Sequence, residues 1–237
     1  MIAYITGTSS GIGKSLAEKL LADGHKIIGL SRQCKLKHKN YKHIYIDLSD
    51  IKQTSNFTFD KNTTNDVILI NNAGSLGMIK PIGSLTNKSI ISLNNLNIIS
   101  PELLSNKFIK QFGLLKQNYQ IINISSGAGK RPIDAWATYC ASKAAIDLFS
   151  ATIANELKER KKTNWHVFSI APGVVDTQMQ VSIRQAKPKD FLAHQKFVNL
   201  KNNNELISPK IVANQICNLI YSPNKAKTVI FNIKDLV

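Results

Sequence analysis

The sequence predicts an α/β fold: a doubly wound parallel sheet in three layers, with helices on both faces. Three observations over the 237 residues carry it. Short apolar runs alternate with helix-length amphipathic segments from end to end. The first run opens into a turn with glycines at positions 7, 11 and 13 and then into a helix. Small and amide residues (Asn71–Gly74, Ser125–Ser126, Pro172–Gly173) follow apolar runs, at the carboxyl ends of strands where such a sheet receives ligands.

Composition narrows the class. A hydrophobic content of 43% and a charged content of 19% are ordinary for a globular chain, and the length suits a single domain, 1–237. No apolar run reaches the roughly 20 residues that span a bilayer, so no membrane partner is expected. The start, Met1–Ile5, lacks a basic leader segment and runs straight into the Gly-rich turn. Cys34, Cys140 and Cys217 are widely spaced and without His at metal-ligand spacing, which suits unpaired thiols in a reducing cytoplasm and no bound metal. The net charge of +16 raises the possibility of a nucleic-acid surface. The lysines are scattered, however, apart from 35–39 and 158–162, and a basic mouth that attracts a phosphate-bearing cofactor is the better use of the charge; no nucleic-acid partner is expected.

Taken in order, Ile2–Ile5 is a β-rich run and the first strand; Lys14–Asp23 is an amphipathic helix closed by Gly24. Between them, Gly7 permits a tight turn, while Gly11 and Gly13 let backbone approach a pyrophosphate and let helix pack on strand. Strand, glycine turn and helix in succession point to a dinucleotide. Lys26–Leu30 is the second strand and ends at Ser31 and Arg32. An acidic residue there would hold the ribose hydroxyls of NAD; Arg32, with Lys35 and Lys37 beyond it, instead accommodates a 2′-phosphate and favours NADP(H). His43–Ile46 is the third strand, with Asp47 placed near the adenine. The stretch 48–65 reads as polar and irregular, with a weak helix over 51–57. Asp66–Ile70 is a buried parallel strand, and Asn72, Ala73 and Gly74 at its end suit packing against a ribose.

Residues 84–116 read as helices, with Pro101 in a first turn or at a kink. The next strand spans 118–125, and a helix runs from about Ala135 to Lys162. Within that region Tyr139 and Lys143 are four apart, one helical turn, on one face. An ammonium beside a phenol favours the phenolate, so the expectation is a tyrosine pKa below its reference of about 10 and a proton donor usable near neutrality. Trp165–Ile170 is a further strand. The less regular stretch at about 174–206 suits a lid over the site. Ser208 caps a helix that starts with Pro209 and ends near Tyr221, and Lys227–Phe231 is the last strand.

Together, Thr6-Gly7-x-x-x-Gly11-x-Gly13, Asn71–Gly74, Ile124–Ser126, Tyr139-x-x-x-Lys143 and Pro172–Gly173 resemble the short-chain dehydrogenase/reductase superfamily over essentially the whole chain. The resemblance implies a Rossmann fold and a catalytic set of Asn97, Ser126, Tyr139 and Lys143. Ser126 is selected over Ser125 because it lies thirteen positions before the tyrosine, and Asn97 over its neighbours by the run that follows it. Implied cofactor contacts are Gly7, Ser9, Ser10, Gly11, Ile12 and Gly13 of the turn, Ser31, Arg32, Asp47, Asn72, Ala73 and Gly74. Tyr139, Lys143, Pro172, Gly173, Val175 and Thr177 complete the set. The run 172–180, with Ile183–Arg184 and Phe197–Leu200, looks like the benzil reductase and sepiapterin reductase branch, whose members reduce vicinal dicarbonyls with NADPH. Sepiapterin reductases carry a C-terminal aspartate that anchors the pterin; that position falls near Phe231, which favours an aromatic dicarbonyl over a pterin. Trp136, Met179, Phe191 and Phe197 are candidates to line the substrate pocket or to pack as core. A non-catalytic NADP(H)-binding regulator is the alternative. A homodimer or homotetramer is implied by resemblance, with the helices at 97–116 and 135–162 as the interface.

Overall fold

The computed structural model describes residues 1–60 and 65–236. Part of the polar stretch read as irregular, residues 61–64, lies outside the described residues. Seven parallel strands form one sheet in the order β3-β2-β1-β4-β5-β6-β7. They are β1 (Ile2–Thr6), β2 (Lys26–Ser31), β3 (Tyr41–Tyr45), β4 (Val67–Asn71), β5 (Tyr119–Ile124), β6 (Trp165–Ala171) and β7 (Ile230–Asn232). The strand order reverses between β1 and β4, so a crevice opens beyond their carboxyl ends. This is the doubly wound, Rossmann-type sheet that the alternation predicts.

Alternate residues of each strand face opposite layers. Ala3, Ile5, Ile68, Ile70, Ile122 and Ile170 meet α1 (Gly11–Ala22) and a C-terminal helix over Pro209–Tyr221 through Leu16, Leu20, Val212 and Ile216. Tyr4, Leu69, Tyr119, Ile121 and Trp165 face the other way, onto Leu104, Phe108 and Phe112. Phe108 is at the centre of an aromatic cluster there, with ring centroids 5.0 Å from Phe112, 5.2 Å from Phe59 and 5.7 Å from Trp165. Both sheet faces are covered, which is why β1 and β4 read as near-continuous apolar runs rather than alternating ones.

Short helix α2 (Ile51–Asn56) is capped by Asp50, whose carboxylate accepts the Lys52 and Gln53 amides. Helix α3 (Asn87–Asn94) continues through a π turn over Asn95–Ile99 into α4 (Ser100–Phe112). Pro101 falls in the first turn of α4, where its missing N–H costs nothing. The long helix α5 (Ala137–Glu159) begins two residues later than its apolar pattern suggests, because Ala135 has φ +61° and cannot continue a right-handed turn.

The stretch over 174–206, expected as an irregular lid, is largely helical: α6 (Gln178–Arg184) and α7 (His194–Asn202) flank a short 3₁₀ turn. Apart from Val175, its buried apolar residues pack away from the sheet. Phe191 stacks on Trp136 at 5.6 Å, and Phe197 lies 5.4 Å from the same indole, so the pair closes a third, smaller core. Helix α8 (Pro209–Tyr221) starts as expected, with the Ser208 hydroxyl accepting the Lys210 amide. Strand β7 is an edge strand of three residues, shorter than its apolar run, since it has β6 alone to pair with. Among the described residues no helix is long and apolar enough to cross a membrane. All three cysteines are free, and Cys217 is buried.

Candidate active site

The Gly-rich turn sits at the carboxyl end of β1. Gly7 and Gly11 hold φ of +75° and +56°, the left-handed region that glycine enters without a Cβ penalty. Gly13 serves a different need: a Cβ there would stand 2.3 Å from Asn72 Nδ2 and 2.4 Å from the Gly7 carbonyl oxygen. The start of α1 therefore lies directly against β1 and β4. The Asn72 side chain donates to the Thr6 carbonyl at 2.9 Å, and the Thr6 hydroxyl accepts the Asn72 and Ala73 amides at 2.9 Å each. The Asn72 side chain thus joins the ends of β1 and β4.

Helix α1 begins at Gly11 with Ser10 as N-cap, and the Ser10 side chain makes no capping bond. Its first amides point into the crevice without a side-chain partner, which is the arrangement that binds a phosphate. Ser9 is half-buried beside it, and Ile12 packs its side chain onto the core. Thr177, the N-cap of α6, lies over the turn, with its methyl 3.2 Å from where a Gly11 Cβ would be. Pro172 is buried, Gly173 turns the chain with φ +81°, and Val175 pairs with Ile207 to bring Thr177 there. At the end of β2, Ser31 is buried, while Arg32 projects with its side chain 76% exposed, 3.9 Å from the Asp47 carboxylate. Glycine cradle, uncapped helix start and a solvent-facing arginine beyond β2 fit a dinucleotide.

The four catalytic candidates converge on the far side of this crevice. Ser126, extended at φ −161°, caps the 3₁₀ turn 127–129 by accepting the Ala128 amide. Gly129 lets that turn lie on α5, since a Cβ would stand 2.9 Å from the Lys143 carbonyl carbon. Ser126 is thereby held on Tyr139, to whose phenol it hydrogen-bonds. Ser125 instead points into the core with its hydroxyl unpartnered. Lys143 is buried; its Nζ donates to the Ile124 carbonyl at 2.8 Å and lies 5.7 Å from the Tyr139 ring centre. Asn97 is buried on the π turn. Its Oδ1 accepts the Ser75 amide at 2.9 Å, and its Nδ2 donates to the Ser75 carbonyl at 2.8 Å and to Ser142 Oγ at 3.1 Å. Asn97 Oδ1 and Lys143 Nζ both border Gly74, at 3.4 and 3.6 Å from a Cβ placed there. The extra residue of a π turn re-aims a helical side chain, and here it turns Asn97 inward.

Two residues escaped the sequence reading. Ser142 passes the Asn97 contact on to the Tyr139 carbonyl at 2.8 Å. Asp147, buried and held by Ser169 Oγ at 2.6 Å, is the third member of an i, i+4, i+8 series with Tyr139 and Lys143. That spacing was the available signal.

The expected phenol shift is reversed. Burial pushes Tyr139 up to about 12, with the Ser126 hydrogen bond opposing it. Burial also brings Lys143 down to about 8, opposed by the Asp147 carboxylate. The site therefore holds a neutral phenol throughout the physiological range, the state that donates a proton. Its lysine is charged below about pH 8 and loses its proton above that. We expect the rate of carbonyl reduction to be flat from about pH 6 to 8 and to fall above pH 8; a kcat/KM profile that rises above pH 8 would contradict this assignment of the lysine.

Beside Tyr139 is a shallow depression walled by Leu76, Met78, Leu85, Ile90, Leu93 and Trp136, with no charged side chain in its lining. Of the four aromatic and Met candidates, Trp136 alone reaches it. Phe191, Phe197 and Met179 pack behind the indole, and the loop after β4 supplies the opposite wall. Phe231 lies in the sheet-face core, 6.0 Å from Phe168, and takes no part in this wall.

The short chain dehydrogenase family model matches residues 1–188. The chain belongs to the short-chain dehydrogenase/reductase family. It is 36% identical over 230 residues to a benzil reductase ((S)-benzoin forming) of Bacillus cereus, covering 91% of this chain and 92% of that one. It is 34% identical over 223 residues to the benzil reductase of Bacillus subtilis (strain 168), covering 91% of each. A solved short-chain dehydrogenase/reductase of Saccharomyces cerevisiae superposes with a TM-score of 0.84 at 23% identity, covering 98% of this chain and 95% of the other. The fold is shared as well with a 4-hydroxyisoleucine dehydrogenase complexed with NADH, at a TM-score of 0.79 and 24% identity over 98% of this chain and 95% of the other. As a member of this family the protein is an oxidoreductase whose Gly-rich crevice serves a nicotinamide cofactor.

Proposed function

We propose that the protein is an NADPH-dependent carbonyl reductase acting on uncharged vicinal dicarbonyls of the benzil type. The observation that carries this reading is the uncharged depression against the Tyr139 phenol, walled mainly by apolar side chains with Ser89 and Thr138 among them. With no charged side chain in that wall, it favours an uncharged carbonyl compound over a carboxylate or phosphate. Its resemblance to two benzil reductases points the same way.

When bound, the nicotinamide supplies the hydride. The chain's own residues do the rest. Ser126 donates a hydrogen bond to the substrate carbonyl oxygen and turns it toward Tyr139. As charge develops on that oxygen, the Tyr139 phenol gives it a proton, which is worth roughly 10²–10⁴-fold in rate. Lys143, charged at neutral pH, steadies the phenolate left behind. Asn97 and Ser142 hold the Tyr139 segment of α5 in register with the loop after β4. A phenol pushed up to about 12 keeps its proton at neutral pH, so the form that can donate is fully populated before the hydride moves.

The direct test follows nicotinamide oxidation by absorbance with benzil, 1-phenyl-1,2-propanedione, sepiapterin, a 3-oxoacyl thioester and a simple ketone, each with NADPH and with NADH. Turnover concentrated on the aromatic diketones with NADPH is expected; a preference for the thioester would refute the substrate class. Arg32, whose ion pair among the described residues is with Asp47 at 3.9 Å, is the group proposed to meet the 2′-phosphate. Arg32→Ala should raise the KM for NADPH about tenfold while leaving that for NADH within about twofold. Equal effects on both nucleotides would remove the basis for NADPH.

A further inference from the structure

A partly buried polar chain that the chemistry does not use runs across the first three strands. Thr8, in the Gly-rich turn and 1% exposed, places Oγ1 3.0 Å from Tyr41 Oη. That phenol lies 2.8 Å from His43 Nδ1, and His43 Nε2 lies 3.1 Å from the Ser31 carbonyl oxygen. The direction of every bond follows from one end. A carbonyl only accepts, so Nε2 carries the hydrogen. In the tautomer with its hydrogen on Nε2, Nδ1 accepts, so the Tyr41 hydroxyl donates to it. The phenol oxygen, its own hydrogen committed, accepts from Thr8.

A second observation shows that the chain is built rather than incidental. Gly29 lies mid-strand in β2, where glycine weakens a sheet and needs a reason. It has no positive φ to supply one. A Cβ at this position would stand 2.2 Å from Tyr41 Oη and 2.6 Å from Thr8 Oγ1. Glycine leaves the room in which the two hydroxyls meet. Tyr41 and His43 are two apart on β3, so both side chains leave the same face, and β3 is paired to β2 in the register Ile27 to Tyr41 and Gly29 to His43.

The two ends of the chain are the two arms of the nucleotide half of the crevice. Thr8 belongs to the turn between Gly7 and Gly11, and the Ser31 carbonyl belongs to the peptide that leads into Arg32. We propose that Tyr41 and His43 are positioning residues: through Thr8 and the Ser31 carbonyl they set the separation between the phosphate-binding turn and Arg32. They thereby govern affinity for the 2′-phosphorylated dinucleotide without touching the reacting atoms. The proposal rests on the NADPH reading of the crevice.

The experiment is a double-mutant cycle on nucleotide affinity in the full chain, with Kd for NADPH and NADH from fluorescence titration and kcat for benzil alongside. Tyr41→Phe and Thr8→Val each remove one hydroxyl at nearly constant volume. Each should weaken NADPH binding about tenfold, the scale of one buried hydrogen bond, and NADH binding less. The double variant should be no weaker than the worse single, because both break the same bond. Thr8→Ser, which keeps the hydroxyl, should stay within about twofold of the parent in affinity, and kcat of Tyr41→Phe should change less than about twofold. If Tyr41→Phe does not fold, as judged by thermal melting, Thr8→Val against Thr8→Ser decides the same bond. Parent-like NADPH affinity in both single variants, multiplicative losses in the double, or a fall in kcat at unchanged affinity would overturn the proposal and leave the NADPH reading intact. A parent protein that binds neither nucleotide would overturn both.

Discussion

Tyr139→Phe is expected to lower benzil reduction by roughly 10²–10⁴-fold while NADPH still binds. The substitution removes one oxygen and leaves the ring where it is, edge-on to Trp136 at 5.6 Å. Burial of the site is then unchanged, and so is the Lys143 bond to the Ile124 carbonyl. What disappears is the hydroxyl proposed to hand a proton to the carbonyl oxygen, with Ser126 beside it. Nucleotide titration and single-turnover kinetics separate the two effects: retained affinity with the chemical step lost is the expected outcome, and a variant with a near-parental chemical step would refute the assigned acid.

Gly13→Ala should abolish the nucleotide site while leaving most of the fold. The added methyl would stand 2.3 Å from Asn72 Nδ2 and 2.4 Å from a backbone oxygen, and the backbone partner cannot swing away. Either α1 lifts off β1 or the Asn72 bond to the Thr6 carbonyl breaks. Overpacking of this kind costs about 1–3 kcal/mol, or ~5–10 °C in melting temperature for a chain this long. The larger loss is functional, because the uncapped amides of α1 are re-aimed: we expect NADPH affinity to fall about a hundredfold. Gly24→Ala is the informative contrast. Its Cβ meets nothing within 4 Å, although φ is +84°, so it should cost about 1–2 kcal/mol in backbone strain and leave affinity untouched. Equal affinities for the two variants would show that the close approach at Gly13 does not shape the phosphate site.

The parts of the site that were legible in the sequence are those whose chemistry is local. The glycines at 7, 11 and 13 announce a turn because few backbones need three glycines so close together. Tyr139 and Lys143 share a helical face by spacing alone, and Asp147 extends the same series. Ser126 over Ser125 rests on spacing within the family pattern; in the structure Ser126 lies beside Tyr139, while Ser125 is buried with its hydroxyl unpartnered. The helices within 174–206 were not legible because the apolar residues there answer to Trp136, a partner more than fifty residues away in the chain, rather than to a period of their own.

By itself the sequence determined the alternation of strand and helix, hence the doubly wound sheet and the end at which ligands enter, because hydrophobic period and glycine turns act over a few residues. It also supplied the family and the proposed proton donor. Tertiary structure alone set the direction in which Tyr139 and Lys143 shift. Spacing argues for a lowered phenol, but burial is the larger effect and reverses the direction. It likewise decided which residues wall the substrate, and that Thr8, Tyr41 and His43 form one chain over Gly29. Desolvation and hydrogen-bond direction depend on what the whole fold packs around a group, and no window of sequence contains that.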